Sequence, residues 1–391
     1  MGNALATQVV APLAPLFQPE LGLSKMDVGL FSSAIFAGWW IVLLAAGSLA
    51  DRFGVRIMIS AGLFLTALLL LAMGTVVSFF QAVAVMLAAG LASGMAQPAV
   101  SKGITEWFMP RSRATAMGLK QAAVPVAGIV TAATLPVLGL AMGWRFAMAV
   151  VGFYLLAAAA FIWIFYREPH GGRQSVKVGT SVRAGLGAVL ANRRLWAMST
   201  MSILLVSGQM ALTTYLALYF SDEVLVPLIP EVDARIVAAG AYLALCQAGG
   251  AFGRVFWGVV SDRLFRARRL PVMGIVGLVA ASMGVLLANF GHGFPTELMA
   301  PVLFVYGATS IGWSGLYHAA MAESEDRRYA GTGLGLGMTL NQCGTVAAPP
   351  LFGFVVDLTG SYQIAWFLAA GVSGFGGLMA LVLAPGEKQR G

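Results

Sequence analysis

Lys102, Lys120 and Arg254 each stand within an apolar stretch long enough to lie in hydrocarbon, and the spacing predicts no carboxylate at comparable depth. A charge at the centre of a bilayer costs roughly 2.5 to 3.5 kcal/mol even on the lenient insertion scale, so such residues point to a site. The sign is informative: cations without counter-charges suit an anionic ligand. Lys120 follows Arg113 by seven residues and Arg254 precedes Asp262 by eight. At 1.5 Å per helical residue, that puts both about 10 to 12 Å from one membrane surface. Arg254 would offer a planar bidentate fork and Lys120 a point charge. The competing reading for each is a brace to helix carbonyls or to a carboxylate at the surface. For Lys102 that reading has a candidate partner, since Glu106 lies one turn away on the same helical face.

Other polar groups fall in the same apolar stretches. Gln121, Asn341 and Gln342 could orient the oxygens of an anion, and the Lys120-Gln121 and Asn341-Gln342 pairs align at an offset of 221. Each amide alone serves equally well as a hydrogen bond between helices. Trp313, Tyr317 and Tyr215 are candidate cavity-lining aromatics or packing residues. His318 is the one such group with an ordinary pKa near neutrality, and reads either as a proton carrier or as a hydrogen-bonded packing residue. No Gly-Lys phosphate loop, His/Cys metal spacing or Ser/His/Asp set is found. The chain is expected not to be an enzyme and to need no cofactor or metal.

These residues must be held by membrane-spanning helices. Of 391 residues, 59% are apolar and 10% charged, with a mean hydropathy of +0.83. Stretches of about 20 apolar residues, enough to cross roughly 30 Å of hydrocarbon, recur between short polar breaks. They predict twelve spans, near 1-18, 28-50, 57-77, 81-108, 114-140, 144-166, 194-220, 236-260, 271-290, 297-323, 329-356 and 362-385. The runs are too long and too continuous for barrel strands, so the fold class is an all-α membrane protein. The first span is short and carries Pro12 and Pro15, so helix 1 either begins at Met1 or lacks an upstream half. No cleavable signal peptide is evident.

Of the 24 lysines and arginines, three lie at depth, Lys25, Arg145 and Arg235 fall on one side, and the other 18 fall on the side of both termini. Cytoplasmic loops carry such an excess, so both termini are expected in the cytoplasm. The formal charge of +8 is then topology facing lipid, and nucleic-acid binding is not implied. Cys246 and Cys343 both lie inside predicted spans and imply no disulfide framework.

The longest polar interruption divides the chain into a six-helix unit over 1-166, a cytoplasmic linker over 167-192 and a second six-helix unit over 193-391. The units echo each other. Gly47, Asp51 and Arg52 are answered at an offset of 211 by Gly258, Asp262 and Arg263, and Gly90, Glu106, Arg111, Thr115 and Gly118 recur at an offset of 217. Two such units can rock about a site near the midplane between them.

The run Gly47-Ser-Leu-Ala-Asp51-Arg52-Phe-Gly54-Val-Arg56 resembles the signature loop of the major facilitator superfamily. The resemblance covers the whole chain and implies twelve helices in two bundles. It also implies a conformational latch, in which Asp51 meets cytoplasmic arginines and the start of helix 11 when the protein is outward-facing. Asp262 and Arg263 stand in the weaker second copy. Lys120-Gln-Ala-Ala-Val-Pro125 resembles helix 5 of organic-anion-type members, including cyanate- and nitrate/nitrite-permease-like groups and, more distantly, monocarboxylate transporters. The last group's pattern has an Asp one turn before the helix 8 Arg, where this chain has Gly250. Helix 5 also lacks the Gly-Pro signature of drug and cation antiporters.

The expected function is therefore secondary transport of a small anion, carboxylate-like by the charge available, across a bacterial cytoplasmic membrane. Protons are the expected co-substrate and the monomer the working unit. The alternatives are a proton-driven drug or metabolite exporter, an anion exchanger or uniporter, a non-transporting sensor on the same scaffold, and a membrane enzyme.

Overall fold

The computed structural model describes residues 1-168, 192-291, 294-324 and 330-386. Most of the expected linker, together with Arg327, Arg328, Lys388 and Arg390, lies outside the described residues. The rest is helical. The elements are α1 (Gly2–Thr7), α2 (Val10–Glu20), α3 (Lys25–Phe53), α4 (Val55–Ala72), α5 (Phe79–Trp107), α6 (Pro110–Met142) and α7 (Trp144–Phe165). After the linker come α8 (Arg193–Tyr219), α9 (Val232–Arg263), α10 (Arg269–Leu287), α11 (Thr296–Ser310), α12 (Ser314–Ser324), α13 (Ala330–Thr359) and α14 (Tyr362–Leu383). Among the described residues, nine helices are long and apolar enough to cross a membrane.

Helix starts follow local chemistry. Ser24 and Asp27 form a reciprocal capping box on α3, and Ser78, Asn192 and Ser361 accept from backbone N–H groups at the starts of α5, α8 and α14. The joints α3–α4 and α6–α7 are single residues, Gly54 and Gly143, at φ 87° and 86°, a conformation that favours glycine.

Two predicted spans are broken. The first is divided at Gln8 between α1 and α2, because Pro12 cannot donate to the Gln8 carbonyl and its ring crowds that turn. The span over 297-323 is divided at Ile311–Trp313, between α11 and α12. There Gly312 packs so close to the Ala308 carbonyl and the Gly253 backbone that no side chain would fit.

The duplication reappears as matched backbone contacts. In the first half, α5 crosses α3 with Gly90 against the Ile35 carbonyl and Gly38 against that of Leu87. In the second half, α11 crosses α9 with Gly307 against Cys246 and Gly249 against Phe304. Ile35 and Cys246 are 211 residues apart, and Gly90 and Gly307 are 217 apart, so the two sequence offsets meet in one repeated crossing. Small residues allow this approach where helices pack in lipid. A β-carbon at Gly90 or Gly307 would collide with a carbonyl that the neighbouring helix cannot move. Gly307→Val should therefore lower stability by more than the ~1–3 kcal/mol typical of overpacking. Thermal melting in detergent checks this, and an unchanged midpoint would contradict the repeated crossing.

Among the described residues, the halves meet along α3 with α13, α6 with α9, α2 with α8 and, less extensively, α2 with α9. The ends of the helices define two faces. One carries Asp51, Asp262 and Lys102; the other carries Lys25, Asp222 and Asp357.

Candidate functional site

Lys120 lies on α6 and points toward α5, where its Nζ donates to Ser101 Oγ at 2.7 Å. Arg254 lies on α9 in the other half, and its guanidinium donates to the backbone carbonyl of Gln121, the residue after Lys120. Arg254 thus reaches the α6 backbone one residue from Lys120, whose side chain turns toward α5. Among the described residues, no carboxylate comes within ion-pair distance of either. The Nε of Arg254 is buried and without a hydrogen-bond partner. A buried donor of this kind costs about 1–3 kcal/mol unless something accepts from it.

His318 on α12 joins this pair. It lies within electrostatic reach of both Arg254 and Lys120. Its ring stands 5.9 Å from that of Tyr317, which is 5.7 Å from Trp313, and Trp313 is fixed by donating to Gln209 Oε1 at 3.0 Å. A second polar link crosses the same seam, where Gln247 Nε2 donates to Gln8 Oε1 at 3.4 Å, using the residue at the break between α1 and α2. Breaks of this kind free backbone groups near mid-membrane.

A cavity of about 890 Å³ borders Lys120 and Gln121, with Asn3 and Gln97 as further polar lining and Ile59 and Leu63 among its apolar walls. Every lining residue belongs to the first half. The site expected between the halves is instead packed, by Arg254 against Gln121 and by Gln247 against Gly128.

Four residues singled out from sequence have other partners. Lys102 pairs with Asp51 at 2.7 Å and also donates to the Ala50 carbonyl at 3.3 Å. The expected partner Glu106 is not the ion pair formed, because α5 lies against the end of α3, where the Asp51 carboxylate reaches Lys102 first. Lys102 is therefore not a free cation. Tyr215 is fully buried near the Lys25 face and donates to the Lys25 and Pro349 carbonyls at 2.7 and 2.8 Å, well away from Lys120 and Arg254 in role and partners. Asn341 donates to the Ser202 carbonyl at 3.1 Å, a link between α13 and α8. Gln342 is buried and accepts from Thr345 at 3.3 Å, with its Nε2 unpartnered.

The loop residues are likewise held within their own halves. Arg56 donates to the Trp163 carbonyl and stacks on that indole, Arg52 lies over Phe53, and Gly54 makes the turn. Asp262 pairs with Arg269, which also reaches Glu323 at 3.7 Å. Among the described residues, no contact assigns Gly47 or Arg263 a role. Sequence reasoning missed Ser101, and it missed Asp222 and Asp357, which join the halves at the Lys25 face. Ser101 is one of many hydroxyls within helices, and charges such as Asp222 and Asp357 are ordinary near helix ends, so none of them stands out in the sequence.

A family model described as Major Facilitator Superfamily matches residues 1–349. The Hexuronate transporter of Bacillus subtilis (strain 168) is 21% identical over 97% of this chain and 90% of its own length. The Probable L-galactonate transporter of Escherichia coli (strain K12) is 26% identical over 93% of this chain and 82% of its own. Among solved structures, a bacterial homologue of the human lysosomal transporter Spinster, in an inward-facing and occupied conformation, superposes with a TM-score of 0.74 at 17% identity. That match covers 98% of this chain and 92% of the other.

Proposed function

Because the chain belongs to the Major Facilitator Superfamily, and is on that ground a membrane transporter rather than an enzyme, we propose that it carries a small carboxylate-bearing organic anion by alternating access. Twelve spans in two units, 1-166 and 193-391, rock about the α6–α9 seam in the cytoplasmic membrane of a bacterium, with both termini inside. The observation that carries the reading is the pair Lys120 and Arg254, drawn from α6 and α9, with no carboxylate among the described residues in ion-pair reach of either. Two relatives named for sugar acids support the substrate class.

The seam is closed around Arg254 in this conformation, so the anion enters by replacing contacts already present. Its oxygens take over from the Gln121 carbonyl as acceptor for the guanidinium and satisfy the free Nε. One interaction then spans both halves, and it is lost from one half whenever the seam opens without ligand. That coupling of occupancy to motion is what a carrier requires.

His318 supports proton symport as the energy source. Three positive charges in one apolar site repel one another, and an anion between them removes much of that repulsion. Anion and proton therefore bind cooperatively, each raising the affinity for the other by the same factor. Uptake of labelled hexuronate, aldonate and short monocarboxylates into proteoliposomes, with and without an imposed proton gradient, tests the reading. Accumulation driven by an inward proton gradient is expected. Uptake that needs internal anion and ignores the gradient would instead indicate exchange, and failure of every anion alongside uptake of a cationic or neutral compound would overturn the proposal.

The Asp51 loop gives a separate expectation. Asp51→Asn removes the Lys102 pair and the charge that the resemblance assigns to the latch, so turnover should fall about tenfold with substrate affinity little changed. A large loss of affinity at unchanged turnover would show that Asp51 acts on the substrate instead.

A further inference from the structure

The cavity beside Lys120 draws its charge and its amides from α1, α5 and α6, and a broad apolar wall from α4 and α7. Lys120 is tied to Ser101 on α5, whose hydroxyl donates to the Gln97 carbonyl one turn away at 3.3 Å. One turn further along α5, the Ser93 carbonyl holds the Asn3 amide at 2.8 Å. Lys120, Gln121, Gln97 and Asn3 all border the cavity. The helices α4 and α7 pack against each other and present Ile59, Leu63, Ala158, Phe161 and Ile162 to it. Among the described residues that line the cavity there is no carboxylate, serine or threonine, and the hydroxyls present are those of Tyr154 and Tyr166.

These walls restrict what can fill the space. A lysine ammonium carries three donors and Ser101 takes one, so the others remain for the oxygens of an acid. The volume of about 890 Å³ is in the range that holds drug-sized ligands. The lining on α5 runs from Ala96 to Trp107, about 16 Å at 1.5 Å per residue, so an acid of two or three carbons on Lys120 would leave most of the wall uncovered. Hydroxyls on a larger acid would meet aliphatic and aromatic carbon, and a buried donor without an acceptor is disfavoured. Hydrocarbon in the same place gains by leaving water.

We infer that the acid this chain takes has an apolar body, a medium-length alkyl chain or a hydrocarbon ring, and is not a polyhydroxylated acid. Its carboxylate sits on Lys120 beside Gln121, and its hydrocarbon lies against α4 and α7. The Gln121 carbonyl is the group that Arg254 holds, so the carboxylate end of the ligand is also the end nearest α9. The inference rests on the proposed role of Lys120 as an anion contact and narrows the substrate within that reading.

Calorimetric titration of the purified chain with acetate, butyrate and hexanoate tests the fit. Affinity is expected to rise about fourfold for each added methylene. Cyclohexanecarboxylate should bind about tenfold or more tightly than glucuronate, which has a similar ring and carboxylate but carries hydroxyls. Ala158→Phe fills the α7 wall and should flatten the rise from acetate to hexanoate while acetate binds as before. If that variant fails to fold, Ile59→Ser on α4 should lower the hexanoate-to-acetate ratio by about fivefold. A flat response from acetate to hexanoate in wild type, or glucuronate binding as tightly as cyclohexanecarboxylate, would overturn the inference. Hexanamide binding as tightly as hexanoate would overturn it too, since any hydrocarbon, a lipid acyl chain included, would then fill the space. Uptake of glucuronate into proteoliposomes without uptake of the apolar acids would overturn it and leave the transport reading standing, whereas failure of every acid would overturn both.

Discussion

Arg254→Gln should abolish measurable anion binding, with affinity falling by about 100-fold or more, while the protein stays folded. The estimate follows from the cost of removing one partner of a desolvated charge contact, about 2–5 kcal/mol. Glutamine keeps a hydrogen-bond donor near the Gln121 carbonyl, so the α6–α9 seam loses charge but not its packing. Lys120→Gln should act in the same direction with a smaller effect, because a lysine offers a single point charge where arginine offers a fork. Ser101 positions that lysine, and its loss should cost less than the loss of Lys120 itself. Titration calorimetry of the folded variants provides the comparison. Arg254→Gln binding the anion as wild type does would remove the guanidinium from the site.

His318→Gln should separate binding from energy coupling. The variant retains Lys120 and Arg254, so it should still bind and exchange the anion. It should lose accumulation driven by a proton gradient, lowering the steady-state internal concentration by an amount set by the gradient, about tenfold per pH unit for one coupled proton. The pH dependence of anion affinity should flatten as well. Wild-type affinity is expected to tighten as pH falls, because the proton taken up with the anion is more available. A His318→Gln variant that still accumulates anion against its gradient would assign the proton elsewhere.

Both predictions rest on features that differ in how far they could be read from sequence. Lys120 and Arg254 stand out in the sequence because charge within an apolar stretch is rare, and the repeated helix crossing is marked there by Gly90 and Gly307. The partner of Lys102 was not. Helical spacing favours Glu106, but Asp51 belongs to another helix, and only the α3–α5 crossing brings it near. The breaks at Gln8 and at Ile311–Trp313 were hidden for different reasons. Hydropathy averages over a span and is blind to an interruption, although Pro12 carried a signal that a proline-by-proline reading of carbonyl partners would have found. At Gly312 the cause is tertiary, a close approach to Gly253 that has no local mark.

Tyr215 reads from sequence either as a cavity-lining or as a packing aromatic, and hydropathy does not separate the two. Its hydroxyl holds two helices together at the Lys25 face. Lys25 reads in the sequence as a loop charge that sets topology, and Asp222 and Asp357 carry no mark of their own there. Their pairing needs the two halves side by side, and no offset in a single sequence records that.

The central claim is that two cations from opposite halves bind one carboxylate. Its most direct test is calorimetric titration of the purified protein with the transported acid and with the uncharged amide of the same compound. The account predicts that wild type binds the acid about 100-fold more tightly than the amide, and that this preference falls to within about threefold in the Lys120→Gln/Arg254→Gln double variant. Equal affinities for acid and amide in wild type would contradict it.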